Sequence, residues 1–189
     1  MYIDPSGELA ISISMLICGI IIGALASGAI DAGIQLSKNG GDFQALNWGS
    51  IANSAITGAA LGMSTALGVG YLGPMIAGTA TFGAKTIVAA FSVSVGISAL
   101  SGGVGYVLQQ SINKDSINAL NVIGHASTVA LEGAFNFGVG GMIGSMEPTI
   151  GTNGKAFISK EWYTKFIITQ EFSNGIKIPL DRLRKELRG

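Results

Sequence analysis

Cysteine and histidine are nearly missing from this sequence: its 189 residues include one of each, Cys18 and His125. A lone cysteine rules out an internal disulfide framework and any cysteine-rich zinc site, including the Cys-x-x-Cys centre of zinc deaminases. A lone histidine rules out a His-Glu-x-x-His metallosite. Charge is scarce as well, at 12% of residues, half of the roughly 25% in an ordinary soluble domain. The formal net charge is zero, so no overall basic field recruits nucleic acid. The glycine-rich stretches contain no Gly-Lys-[Ser/Thr] phosphate loop. Gly68-x-Gly70-x-x-Gly73 runs straight into Pro74 outside any βαβ unit, and a chain this rich in glycine supplies such a match by chance. No metal and no cofactor are expected.

What fills the chain instead is apolar. Hydrophobic residues make up 48% before any of the 29 glycines is counted. Intrinsic disorder is therefore excluded over most of the length, because disordered segments are apolar-poor and charge-rich. Leu9–Ile30 has no charged residue for 22 positions, beyond the ~18 that nominate a spanning helix. Acidic Asp4 and Glu8 stand where a signal peptide carries positive charge. Asp31, Gly33 and the turn chemistry of Ser37–Asp42 are read as breaking the pattern. Residues 43–84 are again free of charge and divide at Tyr71-Leu72-Gly73-Pro74, where proline removes a donor. Asn47 or Ser50 can cap the helix that leads there. Thr86–Asn113 and Ile117–Ser145 supply two further apolar segments, separated by a polar turn at Ser111–Ser116. Phe91–Val95 has strand-like alternation, but its long charge-free context favours helix.

The expected fold is all-α: a Gly/Ala-rich hydrophobic bundle of about four long membrane-type helices, with a short basic amphipathic tail. Glycine supports the membrane reading. Five glycines in one water-exposed helix cost about 4–5 kcal/mol relative to alanine, whereas in lipid the unfolded alternative leaves amides with no partner. Gly19 and Gly23, Gly58 and Gly62, and Gly140 and Gly144 each stand four apart on one helix face, a spacing that permits close helix packing. Close packing in a soluble bundle is the competing explanation.

The net charge of zero hides an asymmetry. Residues 1–150 carry three basic and seven acidic groups, and residues 151–189 carry eight basic and four acidic. In the tail, Leu180, Leu183 and Leu187 share a face opposite Arg182, Lys185 and Glu186. Lys160, Lys165, Arg182, Arg184 and Lys185 are candidates for contact with an anionic lipid surface. The simplest catalytic candidates are His125 and Glu132, seven residues apart on one helix face. The competing reading makes them polar groups that pair inside a bundle or line a water-filled path, with Lys85 as the natural partner of Glu132.

Tyr2-Ile3-Asp4-Pro5-Ser6-Gly7-Glu8 resembles the tyrosine–aliphatic–Asp-Pro-x-Gly-Glu motif that closes the core domain of RHS/YD-repeat proteins. The resemblance rests on Asp4, Pro5 and Gly7 and covers seven residues; the upstream Asp-Pro-x-Gly copy is absent, so self-cleavage is not implied. It implies a variable effector region over Leu9–Gly189, and with the charge break near Gly151 the chain divides into a junction at 1–8, a glycine-rich hydrophobic helical region at 9–150 and a basic tail at 151–189. The parent would be a secreted or cell-surface polymorphic toxin whose β-strand cage encloses the effector. Expected partners are target-cell membrane lipids, a cognate immunity protein, that cage and further copies of the chain. The functional expectation is a membrane-inserting, pore-forming or depolarising effector, with no reaction picked out by the residue spacing. The alternative is a translocation or packaging segment followed by a small nuclease-type or binding tail.

Overall fold

The computed structural model describes residues 13–78 and 81–146. The junction residues Asp4, Pro5 and Gly7 and the tail residues Lys160, Lys165, Arg182, Arg184 and Lys185 lie outside the described residues. Among the described residues every regular element is helical: α1 (Ile13–Lys38), α2 (Trp48–Leu67), a π-helical turn (Gly68–Leu72), the short α3 (Gly73–Ile76), α4 (Ala84–Asn113) and α5 (Ala119–Met146). Phe91–Val95 lies inside α4 as helix. Among the described residues three runs are long and apolar enough to cross a membrane: Ile13–Lys38, Trp48–Ile76 and Ala84–Asn113.

α1 does not stop at Ile30. It continues through Asp31 and Gly33 to Lys38, which corrects the expected break. Asp31 is tolerated because its carboxylate accepts from Ser50 Oγ at 2.9 Å and from Gln35 Nε2 at 3.2 Å. The helix ends instead where Gly40 takes φ +66°, letting the Gly41 N–H return to the Leu36 carbonyl at 2.8 Å. Gln35 Oε1 then accepts from the Asn47 N–H at 2.7 Å, tying the end of α1 to the start of α2. Asn47 caps α2 by accepting from the Ser50 N–H at 2.9 Å.

The expected division at Tyr71–Pro74 is also corrected. The helical path runs on to Ile76 through the wider π turn, in which the Gly73 N–H reaches back to the Gly68 carbonyl. Pro74 enters in the first turn of α3, where its missing N–H does no harm. α4 ends on Lys114 at φ 58°, ψ 31°, with the Asp115 N–H on the Gln110 carbonyl at 2.9 Å.

α2 is the hub. It packs against α1, α4 and α5, and α4 and α5 also pack on each other. Pairing of Gly19 with Gly62 and of Asn53 with Gln109 makes α1 and α4 antiparallel to α2. Gly68 against Phe137 and Val69 against Gly144 make α5 parallel to α2. In the most apolar 18-residue window, 67% of the Trp48–Ile76 run is buried, against 28% for α1 and for α4.

The faces are inverted relative to a soluble bundle. On α1 the ridge Ile13, Ile17, Ile21 and Leu25 is exposed, while Met15, Gly19, Gly23 and Ser27 face α2. α4 exposes Val93, Leu100, Val104 and Leu108 and buries Ala90, Ser94, Ser98 and Gly102. On α5 Leu120, Leu131 and Phe135 are exposed, while Glu132 and Asn136 are inside.

Candidate functional site

Two seams meet on α2, and the first is made of glycine. A β-carbon on Gly19 would stand 2.7 Å from the Gly62 carbonyl oxygen, and one on Gly62 would overlap the Gly19 carbonyl. Gly23 and Gly58 are matched in the same reciprocal way, with Ser27 also closing on Gly58. Backbone therefore lies directly on backbone for about one helical turn. This approach maximises dispersion contact and brings Cα–H groups toward carbonyls. Gly140 and Gly144 serve a different contact. A β-carbon on Gly140 would overlap the Thr65 carbonyl, and one on Gly144 would be 2.6 Å from the Val69 carbonyl oxygen. They bring α5 onto the end of α2 and the π turn.

The second seam, between α2, α4 and α5, is polar. Ser64 Oγ and Ser98 Oγ are 3.1 Å apart, and Ser64 also donates to the Ala60 carbonyl at 2.9 Å. Ser94 Oγ donates to the Gly133 carbonyl at 3.2 Å. Thr65 Oγ1 donates to Asn136 Oδ1 at 3.3 Å, and Asn136 Nδ2 donates to the Glu132 carbonyl at 2.9 Å. Ser64, Ser98 and Asn136 are fully buried, and Glu132 is 4% exposed. Glu132 stands on the stripe of α5 whose neighbours settle its surroundings: Val129 packs on Gly102, Gly133 on Ser98, and Asn136 meets Thr65.

Polar groups continue toward the end of the bundle that carries the 39–47 and 114–118 connections. Asn53 Nδ2 donates to Gln109 Oε1 at 2.9 Å. His125 stacks on Tyr106 with ring centroids 4.5 Å apart, and Asn121 Nδ2 donates to the Tyr106 hydroxyl at 3.2 Å. Toward the opposite end the interior is apolar. Met15, Ala66, Leu67, Val69, Ala90 and Phe137 form one buried cluster there.

His125 and Glu132 thus share α5, the first half-buried against Tyr106 and the second buried at the three-helix junction. Lys85 is not the partner of Glu132. It is exposed in the first turn of α4, nine residues before Ser94, or about 14 Å along the helix axis. Charge-pair reasoning failed because it ignored register.

Sequence reasoning also missed the Ser/Thr/Asn seam. The signal was present: Ala90, Ser94, Ser98 and Gly102 repeat at every fourth position, the same small-residue spacing as the Gly pairs but written with hydroxyls. No protein-family model, curated protein or solved structure matches the chain, so its chemistry is read from these contacts.

Proposed function

We propose that residues 13–146 insert into a bilayer as an antiparallel helical bundle, and that the chain is an effector that depolarises a target-cell membrane. The observation that carries this reading is the inversion of the helix faces. Ile13 is 76% exposed and Leu100 70%, while Ser64, Ser98 and Asn136 are 0% exposed. Water penalises exposed apolar area at about 25 cal/mol per Å², whereas hydrocarbon accepts it and drives polar side chains and small residues to helix contacts. Three runs of sufficient length and apolarity support the same reading. The basic tail residues Lys160, Lys165, Arg182, Arg184 and Lys185 suit anionic headgroups at the surface. In this proposal the RHS-like start at Asp4-Pro5-x-Gly7 marks release from an enclosing cage, with secretion to the target cell and a membrane-embedded immunity protein as the neutralising partner.

The test is full-length protein added to vesicles of mixed zwitterionic and anionic lipid that hold a potassium diffusion potential. Co-flotation with the vesicles and collapse of the potential at micromolar protein are expected. Protein that stays in the aqueous phase and leaves the potential intact overturns the proposal. Insertion without any collapse overturns the depolarising role and favours a translocation or packaging segment.

A further inference from the structure

The polar seam has a position as well as a composition. α4 spans Ala84–Asn113 and α5 spans Ala119–Met146, so Ser98 and Glu132 stand at the centres of their helices. Ser64 is two residues from the centre of the Trp48–Ile76 run. In a bilayer crossed by the Trp48–Ile76 and Ala84–Asn113 runs, Ser64 and Ser98 lie near the midplane, and Glu132, beside the Gly133 that packs on Ser98, lies level with them, at the depth where an ionisable side chain is most costly. Glu132 is the one carboxyl among the described residues of that cross-section; the Cys18 thiol stands at a similar level on α1, which packs against α2. Other titratable groups on the elements that pack against α5 lie at other depths. Tyr106 and His125 are about two turns toward the polar end, Tyr71 is in the π turn, and Lys85 is exposed in the first turn of α4.

The two halves of the interior differ. Asn53, Gln109, Tyr106, Asn121 and His125 gather at the end with the 39–47 and 114–118 connections, and between them and Glu132 stands Val129, packed on Gly102. Beyond the centre, Leu67, Val69, Ala90 and Phe137 close the path with apolar side chains. The arrangement is a polar end leading toward a buried central carboxyl, with the Ser64–Ser98 pair at the same level, where Ser98 packs on Gly133. We infer that the Ser64–Ser98–Glu132 cross-section is a proton-transfer station loaded from the polar end, and that the gradient the bundle dissipates is the proton gradient. This inference rests on the membrane-inserted reading above. The step is balanced without any other reactant. A proton arriving from water passes through groups that can accept one proton while donating another, the His125 imidazole and the Tyr106, Ser64 and Ser98 hydroxyls, and forms an O–H bond on the Glu132 carboxylate. On release that bond breaks and the proton passes to water on the far side.

The experiment uses full-length protein in vesicles carrying an internal pH indicator and an imposed pH gradient, with potassium, sodium and carboxyfluorescein release followed in parallel. Wild type is expected to carry proton flux at least tenfold above protein-free vesicles, with no dye release. Glu132→Gln should float with the vesicles and return the flux to within twofold of protein-free vesicles, and Glu132→Asp should restore part of it. Should Glu132→Gln fail to insert, the double variant Ser64→Ala, Ser98→Ala decides, with at least a fivefold loss of flux expected. Flux at the wild-type level in an inserted Glu132→Gln, or in that double variant, overturns the station. Potential collapse carried equally by sodium, potassium or dye overturns it too, while leaving the depolarising role in place. Absence of insertion removes the membrane reading itself.

Discussion

The two seams of α2 hold their neighbours by different physics. Against α1 the contact is backbone on backbone: Gly19 on Gly62 and Gly23 on Gly58, with no room for a β-carbon on either side. Against α4 and the middle of α5 the contact runs through side-chain oxygens and amides, Ser64 with Ser98 and Thr65 with Asn136, with Gly140 adding one backbone approach on the Thr65 carbonyl. The first seam tolerates no added atom and needs no directional bond. The second has room for side chains but demands that each buried polar group find a partner. A helix that must only stay attached can be joined by the first kind. Helices that enclose an ionisable group need the second.

Three substitutions break or sharpen this contrast, taken in order of effect. Gly62→Leu should be the most damaging, because the clash is with the Gly19 carbonyl and cannot be relieved by a rotamer. Overpacking of this kind costs about 3 kcal/mol, and thermal unfolding in detergent followed by helical circular dichroism should show it. Gly33→Leu, where a β-carbon meets nothing within 4 Å, is the control, and equal losses in the two would dissolve the glycine seam. Asn136→Ala comes next. It removes a buried amide that bridges α2 and α5 and leaves a small cavity, for a loss of about 1.5 kcal/mol in the same assay. An unchanged melting curve would mean that the amide holds nothing. Ser98→Ala is smallest, about 0.6 kcal/mol, because Ser64 keeps its bond to the Ala60 carbonyl. A loss as large as that of Gly62→Leu would erase the distinction between the seams.

Much of the helical layout was readable along the chain. Charge-free runs located α1, α2, α4 and α5, and Asn47 was legible as a cap because a side-chain oxygen before an apolar run has an amide to receive. The ends of α1 and of the α2 run were misread for one reason. Asp31 and Pro74 are helix-unfriendly as isolated residues, yet Ser50 and Gln35 satisfy the carboxylate, and a π turn makes room ahead of the proline. Both remedies come from residues whose relevance is spatial. The interior site was only half legible. Glu132 stood out as a charge in an apolar run, but its partner was sought by charge sign, in Lys85, which is exposed in the first turn of α4 while Glu132 is buried.

Composition and spacing were enough to establish a helical chain built for close packing, since apolar runs and small residues four apart are properties of the chain itself. Which small face meets which was left to the packed bundle: Gly19 and Gly23 with α1's neighbour, Gly140 and Gly144 with the end of α2 and the π turn. The bundle also brought Ser64, Ser98 and Glu132 to one level. A four-residue period says which side chains share a stripe, but the register between helices depends on how whole surfaces fit. That fit exists only once the helices are side by side.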